Sequence, residues 1–168
     1  MSKAPSTNAT RLLKDKGVPF TEHLYRYEEK GGTRVCAREL GLDERAVVKT
    51  LVFEDDKGQP LVVLMHGDRE VSAKALARQV GAKEMRICAP DAAQRHSGYL
   101  VGGTSPFGTR KIMPVLAEAT IFDLERIWIN GGSRGFLVGL DPRDLDRVLA
   151  VGRVQVAIGP DVRAKSSF

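Results

Sequence analysis

Apolar positions in this chain fall into short runs punctuated by glycine, and their period alternates between that of a helix and that of a strand. Over residues 7–16, Ala9, Leu12, Leu13 and Lys16 share one helical stripe and Gly17 marks its stop, which predicts a first helix. Phe20–Tyr27 alternates as a strand does. After the Gly31-Gly32 break, Thr33 is placed to cap a helix that runs to Leu40 and ends at Gly41. Val47–Glu54 and Leu61–His66 read as two strands of a hairpin around Asp55-Asp56-Lys57-Gly58. Ser72 caps a helix through Gln79 that Gly81 closes, Met85–Cys88 reads as a strand, and Pro90–Arg95 as a short helix. Lys111–Met113, Ala119–Phe122, Arg126–Asn130 and Phe136–Leu140 all look extended. Asp141-Pro142 opens a helix to about Leu149, because proline suits the first turn and aspartate caps it. Val154–Ile158 is the last strand, and the segments 1–7 and 163–168 read as flexible ends.

Helices and strands are interspersed, and several strands are joined by links too short for a parallel crossover. The pattern predicts a mixed α/β fold: one strongly curved sheet with helices packed around it. No linker, repeat or shift of composition divides the 168 residues, so we read 1–168 as a single domain. No apolar run approaches the roughly 20 residues needed to cross a bilayer, and Met1–Asn8 lacks the apolar stretch of a signal peptide. A cytoplasmic protein with no membrane partner is expected.

Apolar residues at 42% and charged residues at 28% are ordinary for a soluble domain and decide nothing about function. The formal charge of +5 admits a polyanionic partner such as RNA without requiring one. Cys36 and Cys88 form no CxxC pair, and His23, His66 and His96 are scattered. Neither set shows metal-ligand spacing, so no metal or cofactor is expected.

Two glycine knots change the picture. Gly98–Gly108 packs four glycines, Pro106 and the hydroxyls of Thr104 and Ser105 around a short apolar run, and Gly131-Gly132-Ser133-Arg134-Gly135 follows a strand. Glycines let main-chain N–H groups approach a ligand closely; a pair of tight turns would need them as well. Gly103 to Gly108 has the spacing of a phosphate-binding P-loop, but Thr109-Arg110 follows where Lys-Ser/Thr is required. Phe107 likewise breaks the G-x-S-x-G pattern around Ser105. What remains is a loop of main-chain donors that can hold a carbonyl oxygen and stabilise an oxyanion. Lys49, in the middle of Val47–Phe53, belongs to a strand apolar on both faces. Its ammonium either snorkels into water or lines a polar pocket that holds a phosphate or acyl group.

At Val48-Lys49-Thr50-Leu51, Val80-Gly81-Ala82-Lys83, Ala93 through Gly108, and Gly131 through Gly135, the sequence resembles the YbaK/EbsC family. These are single-domain relatives of the editing domain of bacterial prolyl-tRNA synthetase, and the resemblance runs from about Ala9 to Leu149. It implies a barrel-like mixed sheet surrounded by helices. It also implies hydrolysis in trans of the ester of mischarged tRNA, most often tRNA(Pro), without metal or protein nucleophile. Attack is then by water or by a group of the substrate. The family's lysine matches Lys49 and its next hydroxyl Thr50; its G-x-x-x-P loop matches Gly102 through Pro106, and its first-strand tyrosine Tyr25.

The resemblance thus makes Lys49, Gly102 and Gly103 catalytic. It gives Tyr25, Thr50, Ser105, Pro106, Asn130, Gly131, Gly132 and Arg134 to substrate binding. Asn130 stands where the Cys-tRNA(Pro) deacylases carry serine, and Leu137 where they carry aspartate, which turns the expectation toward cysteine or another small amino acid. The expected partners are aminoacyl-tRNA and a prolyl-tRNA synthetase, with monomer and homodimer both open. A non-catalytic protein that binds the tRNA acceptor end or a synthetase is the alternative, and a hydrolase of small acyl esters or thioesters a third reading.

Overall fold

In the computed structural model, which describes residues 3–159, the central element is a long strand that changes neighbours halfway along one edge. In chain order the elements are α1 (Asn8–Asp15), β1 (Thr21–Leu24), α2 (Gly32–Leu40), β2 (Val47–Asp55), β3 (Pro60–His66), β4 (Glu70–Val71) and α3 (Ala73–Val80). There follow β5 (Met85–Ile87), α4 (Pro90–Ser97), β6 (Val115–Glu118), β7 (Ile127–Ser133), β8 (Phe136–Leu140), α5 (Leu145–Val148), β9 (Val151–Val154) and β10 (Ala157–Ile158). The main sheet runs β1-β8-β7-β2-β3-β6-β9, with β5 beside β2, and β10 pairs with β4 in a small second sheet. It is mixed: β2–β3 and β7–β8 are antiparallel, whereas β2–β7, β3–β6 and β6–β9 are parallel. The end strands β1 and β9 are not paired, so the sheet is an open path rather than a closed barrel.

β3 covers one edge of β2 from Val48 to Glu54. On the other edge β7 pairs only with Val47 and Val48, and β5 only with Phe53 to Asp55. Between them the sheet forks, and Lys49 sits at the crotch. The two faces of the sheet are buried differently. Val48 and Val52 point into the large core with Leu64, Ile129, Phe107 and Leu13, under α1 and α4. On the opposite face Val47 packs with Cys36 and Ala37 of α2, while Leu51 and Phe53 pack with Leu76 and Ala77 of α3. Strand alternation therefore stands Lys49 in the seam between two apolar clusters.

Most helix ends follow their signals. Thr7 forms a capping box with Thr10, and Ser72 caps α3 through Ala75 N–H. Thr33 is no cap: Gly31 holds that position, and the Thr33 hydroxyl instead meets Glu44 Oε2 at 2.9 Å and the Gly67 carbonyl at 3.0 Å. The first strand stops at Leu24, after which Tyr25 N–H reaches the Gly135 carbonyl at the β7–β8 turn. Lys111–Met113 is irregular, and Ile112 is 96% exposed, so nothing there rewards pairing. Ala119–Asp123 is a 3-10 turn rather than a strand, and the strand lies just before it in β6.

The helix expected after Asp141-Pro142 begins as a 3-10 turn over Pro142–Asp144 and continues in α5 for one turn. The last strand is broken into β9 and β10 by Glu118, a buried carboxylate whose Oε1 accepts Val156 N–H at 2.7 Å and Ala157 N–H at 3.1 Å. The expected flexible start includes Thr7, whose hydroxyl donates to the Gly131 carbonyl at 2.5 Å. The expected flexible end, 163–168, lies outside the described residues. No helix among the described residues is long and apolar enough to cross a membrane.

His66 closes β3 with a fully enclosed ring. Its Nδ1 is 2.9 Å from the Arg45 carbonyl and its Nε2 2.7 Å from Thr120 Oγ1. A carbonyl only accepts, so Nδ1 carries the proton and Nε2 accepts from the threonine. Burial, above all, lowers the His66 pKa from its ordinary value. A base whose folded pKa is depressed contributes its stability above the unfolded value of about 6.5 and loses it as pH falls further. Thermal unfolding between pH 7.5 and 5 (about the window of that titration) should therefore show a midpoint that falls with acid, and His66→Gln should flatten this slope. Parallel slopes for the two proteins would remove His66 as the cause.

Candidate active site

The fork in the sheet brings the two glycine knots and Lys49 to one place. Continued one step past Val48↔Ile129, the parallel β2–β7 register sets Lys49 abreast of Asn130, and the antiparallel β7–β8 register pairs Asn130 with Leu137. Residues abreast in a sheet share a face, so Lys49, Asn130 and Leu137 form a row across three strands. Leu137 and Val47 are buried in the α2 cluster, with Tyr25 and Trp128 against them. The row thus has an apolar floor and a polar rim. Lys49 is mostly enclosed, with 19% of its side chain exposed, and its Nζ lies 3.5 Å from Glu70 Oε1 of β4, a carboxylate open to solvent.

The first knot is a loop clamped at both ends. Tyr99 and Phe107 are buried, and the Tyr99 hydroxyl donates to the Phe107 carbonyl at 2.6 Å. Ser97 Oγ accepts Tyr99 N–H and Ser105 Oγ accepts Phe107 N–H. Between these anchors Leu100 and Val101 are exposed, and Gly103 N–H closes a turn onto the Leu100 carbonyl at 2.8 Å. The tip rests on the second knot. Asn130 Nδ2 donates to the Gly102 carbonyl at 3.0 Å, and Arg134 Nε to the Val101 carbonyl at 2.9 Å. Gly102 has φ +94°, and a Cβ there would lie 2.5 Å from the Tyr27 hydroxyl. That position needs glycine both for its backbone and for the space.

The second knot is the turn between β7 and β8, bulged between Asn130 and Ser133. Asn130 Oδ1 accepts the N–H groups of Gly132 at 2.8 Å and Ser133 at 3.2 Å. One asparagine therefore holds both knots, its carbonyl on the bulge and its amide on the loop. Gly131 gives its carbonyl to Thr7, and Gly132 lies against the Tyr99 ring and Thr7. The Arg134 guanidinium stacks over Tyr27 at 5.2 Å. Burial first, and then the neighbouring Cys36 thiol, push the Tyr25 phenol well up, so it stays protonated as a donor. Burial likewise raises the Cys36 thiol, which donates to the Gly32 carbonyl.

The structure gathers Lys49, Gly102, Asn130, Gly132 and Arg134 around this fork, with Tyr25 at its floor. Three others of the expected site residues lie away from this row. Thr50 alternates with Lys49 onto the opposite face, where its hydroxyl is buried without a partner. Ser105 and Pro106 are buried beneath the loop, with Ser105 holding Phe107. Gly103 contributes its close fit, a Cβ there falling 2.9 Å from Arg134 N, but its N–H is already bonded. Among the described residues the N–H groups of Gly102 and Thr104 have no such partner. Neither Tyr27 nor Glu70 is among the expected site residues. Tyr27 carried a signal, two positions from Tyr25 on the same alternation, whereas nothing local distinguished Glu70. A cation beside free main-chain donors can hold a phosphate and an ester oxygen together.

The family model of the aminoacyl-tRNA editing domain matches residues 28–148. A protein of Enterococcus faecalis, provisionally named Cys-tRNA(Pro)/Cys-tRNA(Cys) deacylase EbsC, is 29% identical over 137 residues, 81% of this chain and 84% of that protein. The proline–tRNA ligase of Maridesulfovibrio salexigens is 33% identical over 96 residues, which are 57% of this chain and only 16% of the ligase. Among solved structures, the hypothetical protein APE2540 superposes with a TM-score of 0.83 at 20% identity, covering 90% of this chain and all of that one. A candidate trans-editing enzyme for prolyl-tRNA synthetase superposes at 0.78 and 21%, covering 93% of this chain and 100% of that one. Both superpositions show the mixed α/β fold.

Removing the asparagine that joins the knots should loosen both. Asn130→Ala deletes one exposed hydrogen bond and two half-buried ones, the latter each contributing about 0.5–1.5 kcal/mol net, and should cost about 1–3 kcal/mol in denaturant unfolding. Amide exchange should quicken at Gly132, Ser133 and residues 100–104 while the core stays protected. Unchanged exchange at these amides would show that the knots hold together without it.

Proposed function

This chain belongs to the aminoacyl-tRNA editing domain family, and on that footing we propose that the fork around Lys49 hydrolyses the ester of a mischarged aminoacyl-tRNA carried by tRNA(Pro). The observation that carries this reading is the Asn130–Gly102 hydrogen bond, which fixes the glycine loop to β7 one residue past Ile129, where β7 parts from β2 just before Lys49. The 3′-terminal adenosine would lie across the fork. Lys49 takes its phosphate or the polar end of the aminoacyl group, exchanging the Glu70 carboxylate for it. An ion pair with so exposed a partner holds the lysine by only about 0–1 kcal/mol, so the exchange is easy. Gly102 and Thr104 direct their N–H groups at the ester carbonyl. Arg134, propped on Tyr27, meets the nucleic-acid backbone, and the chain's +5 charge suits that partner.

Water, or a group of the substrate itself, adds to the carbonyl carbon. The negative charge that develops on the oxygen is stabilised by the main-chain donors, and the ribose oxygen leaves with a proton. Neither Ser105 nor Cys36 suits attack: Ser105 is enclosed, and burial raises the Cys36 thiol pKa. Discrimination then rests on fit. A confined fork favours a small side chain, cysteine or another such as alanine or serine, over anything bulky. A prolyl-tRNA synthetase is the natural source of such a tRNA, and delivery from it is part of the proposal.

Purified protein should be offered tRNA(Pro) charged separately with cysteine, alanine, serine and proline. We expect ester loss from a non-cognate amino acid and none from prolyl-tRNA. Lys49→Ala and Gly102→Ala should each slow that loss by about a hundredfold or more, the second because its methyl displaces the loop from Tyr27. Salt-sensitive tRNA binding with no ester loss from any of the four would replace the enzyme with a non-catalytic acceptor-end binder.

A further inference from the structure

Beyond the fork, a second group of reactive side chains converges at the far end of β2. Glu54 lies five residues from Lys49, roughly 17 Å along the strand, and on the opposite face. Beside it are Cys88, just past β5, and His96, in the last turn of α4. The carboxylate, thiol and imidazole donor atoms all lie within 4.8 Å of one another. Sequence spacing gave no hint of this, because the three residues come from three separate elements.

We propose that Glu54, Cys88 and His96 form a binding site for a divalent transition-metal ion of the zinc class. The donor set is one thiolate sulfur, one imidazole nitrogen and one carboxylate oxygen, a mixture that selects zinc-like ions over magnesium or calcium. Bonds of about 2.0–2.3 Å in tetrahedral array would set the donors roughly 3.3–3.8 Å apart, so side-chain rotation suffices to close the site. The scaffold is firm. Cys88 N–H is bonded to the Val52 carbonyl at 2.9 Å, and the residue is buried in the main core. The Arg86 Nε lies 3.1 Å from Glu54 Oε1, which orients the carboxylate and leaves Oε2 for the ion. Glu54 and His96 are half-buried rather than enclosed, which gives an ion its entry and leaves the fourth position to water. As the metal–sulfur bond forms, the Cys88 thiol releases its proton to solvent. His96 also ties this site to the base of the glycine loop, since its carbonyl accepts Lys111 N–H at 2.9 Å.

Cobalt(II) titration of the purified, metal-stripped protein tests the proposal. A thiolate-to-cobalt charge-transfer band should grow and saturate at one ion per chain, bleach on adding zinc and ignore magnesium. Cys88→Ser should abolish it, and Cys36→Ser should keep it, because Cys36 lies in the α2 cluster away from these ligands. His96→Ala, on the outer part of α4, should fold normally and bind cobalt about tenfold or more weakly, with the zinc-induced rise in unfolding temperature lost in parallel. Absence of the band at millimolar cobalt would overturn the site. So would a band that survives Cys88→Ser, or unaltered affinity in His96→Ala.

Discussion

The structure turns on the change of neighbours along β2. A strand covered on both edges throughout would leave no opening at its middle, and a lysine there would be an uncompensated charge in a core. Because β7 leaves after Val48 and β5 arrives only at Phe53, the sheet opens where Lys49 stands. The apolar clusters of α2 and α3 stop on either side of it. The hydrophobic effect fixes the two clusters and the open edge separates them, so the ammonium reaches the surface without crossing a core.

The loops depend on that fork in turn. Tyr99 and Phe107 act as pins that hold a solvent-facing tip between two buried ends. Asn130 joins the tip to the hairpin bulge, satisfying main-chain groups that neither loop could satisfy alone. The site is therefore largely made of backbone held by side chains. This accounts for its high glycine content better than flexibility does: Gly102 and Gly103 have no room for a methyl group.

Much of this was legible in the chain. The cap at Ser72, the β2–β3 hairpin, the two glycine knots and the place of Lys49 in a strand apolar on both faces all follow from local chemistry, and each is found. The misses share a cause. Thr33, Ala119–Phe122 and Val154–Ile158 were assigned by local pattern, but distant partners decide them: the Gly67 carbonyl, the pairing of β6 with β3, and the Glu118 carboxylate. At the site, alternation alone places Thr50 on the face opposite Lys49. The enclosure of Ser105 and the closeness of Glu70 arise from tertiary packing and leave no mark in local sequence.

One consequence of the row Lys49–Asn130–Leu137 concerns how such a protein diversifies. The charged group sits on β2, whereas Asn130, which ties the two glycine loops together, sits on the β7–β8 hairpin. Under the proposed function, exchanges at that hairpin would reset the loops while the ammonium stays where it is. On that reading the cation and the loop donors are inherited on separate pieces of chain, so a lineage could alter one without rebuilding the other.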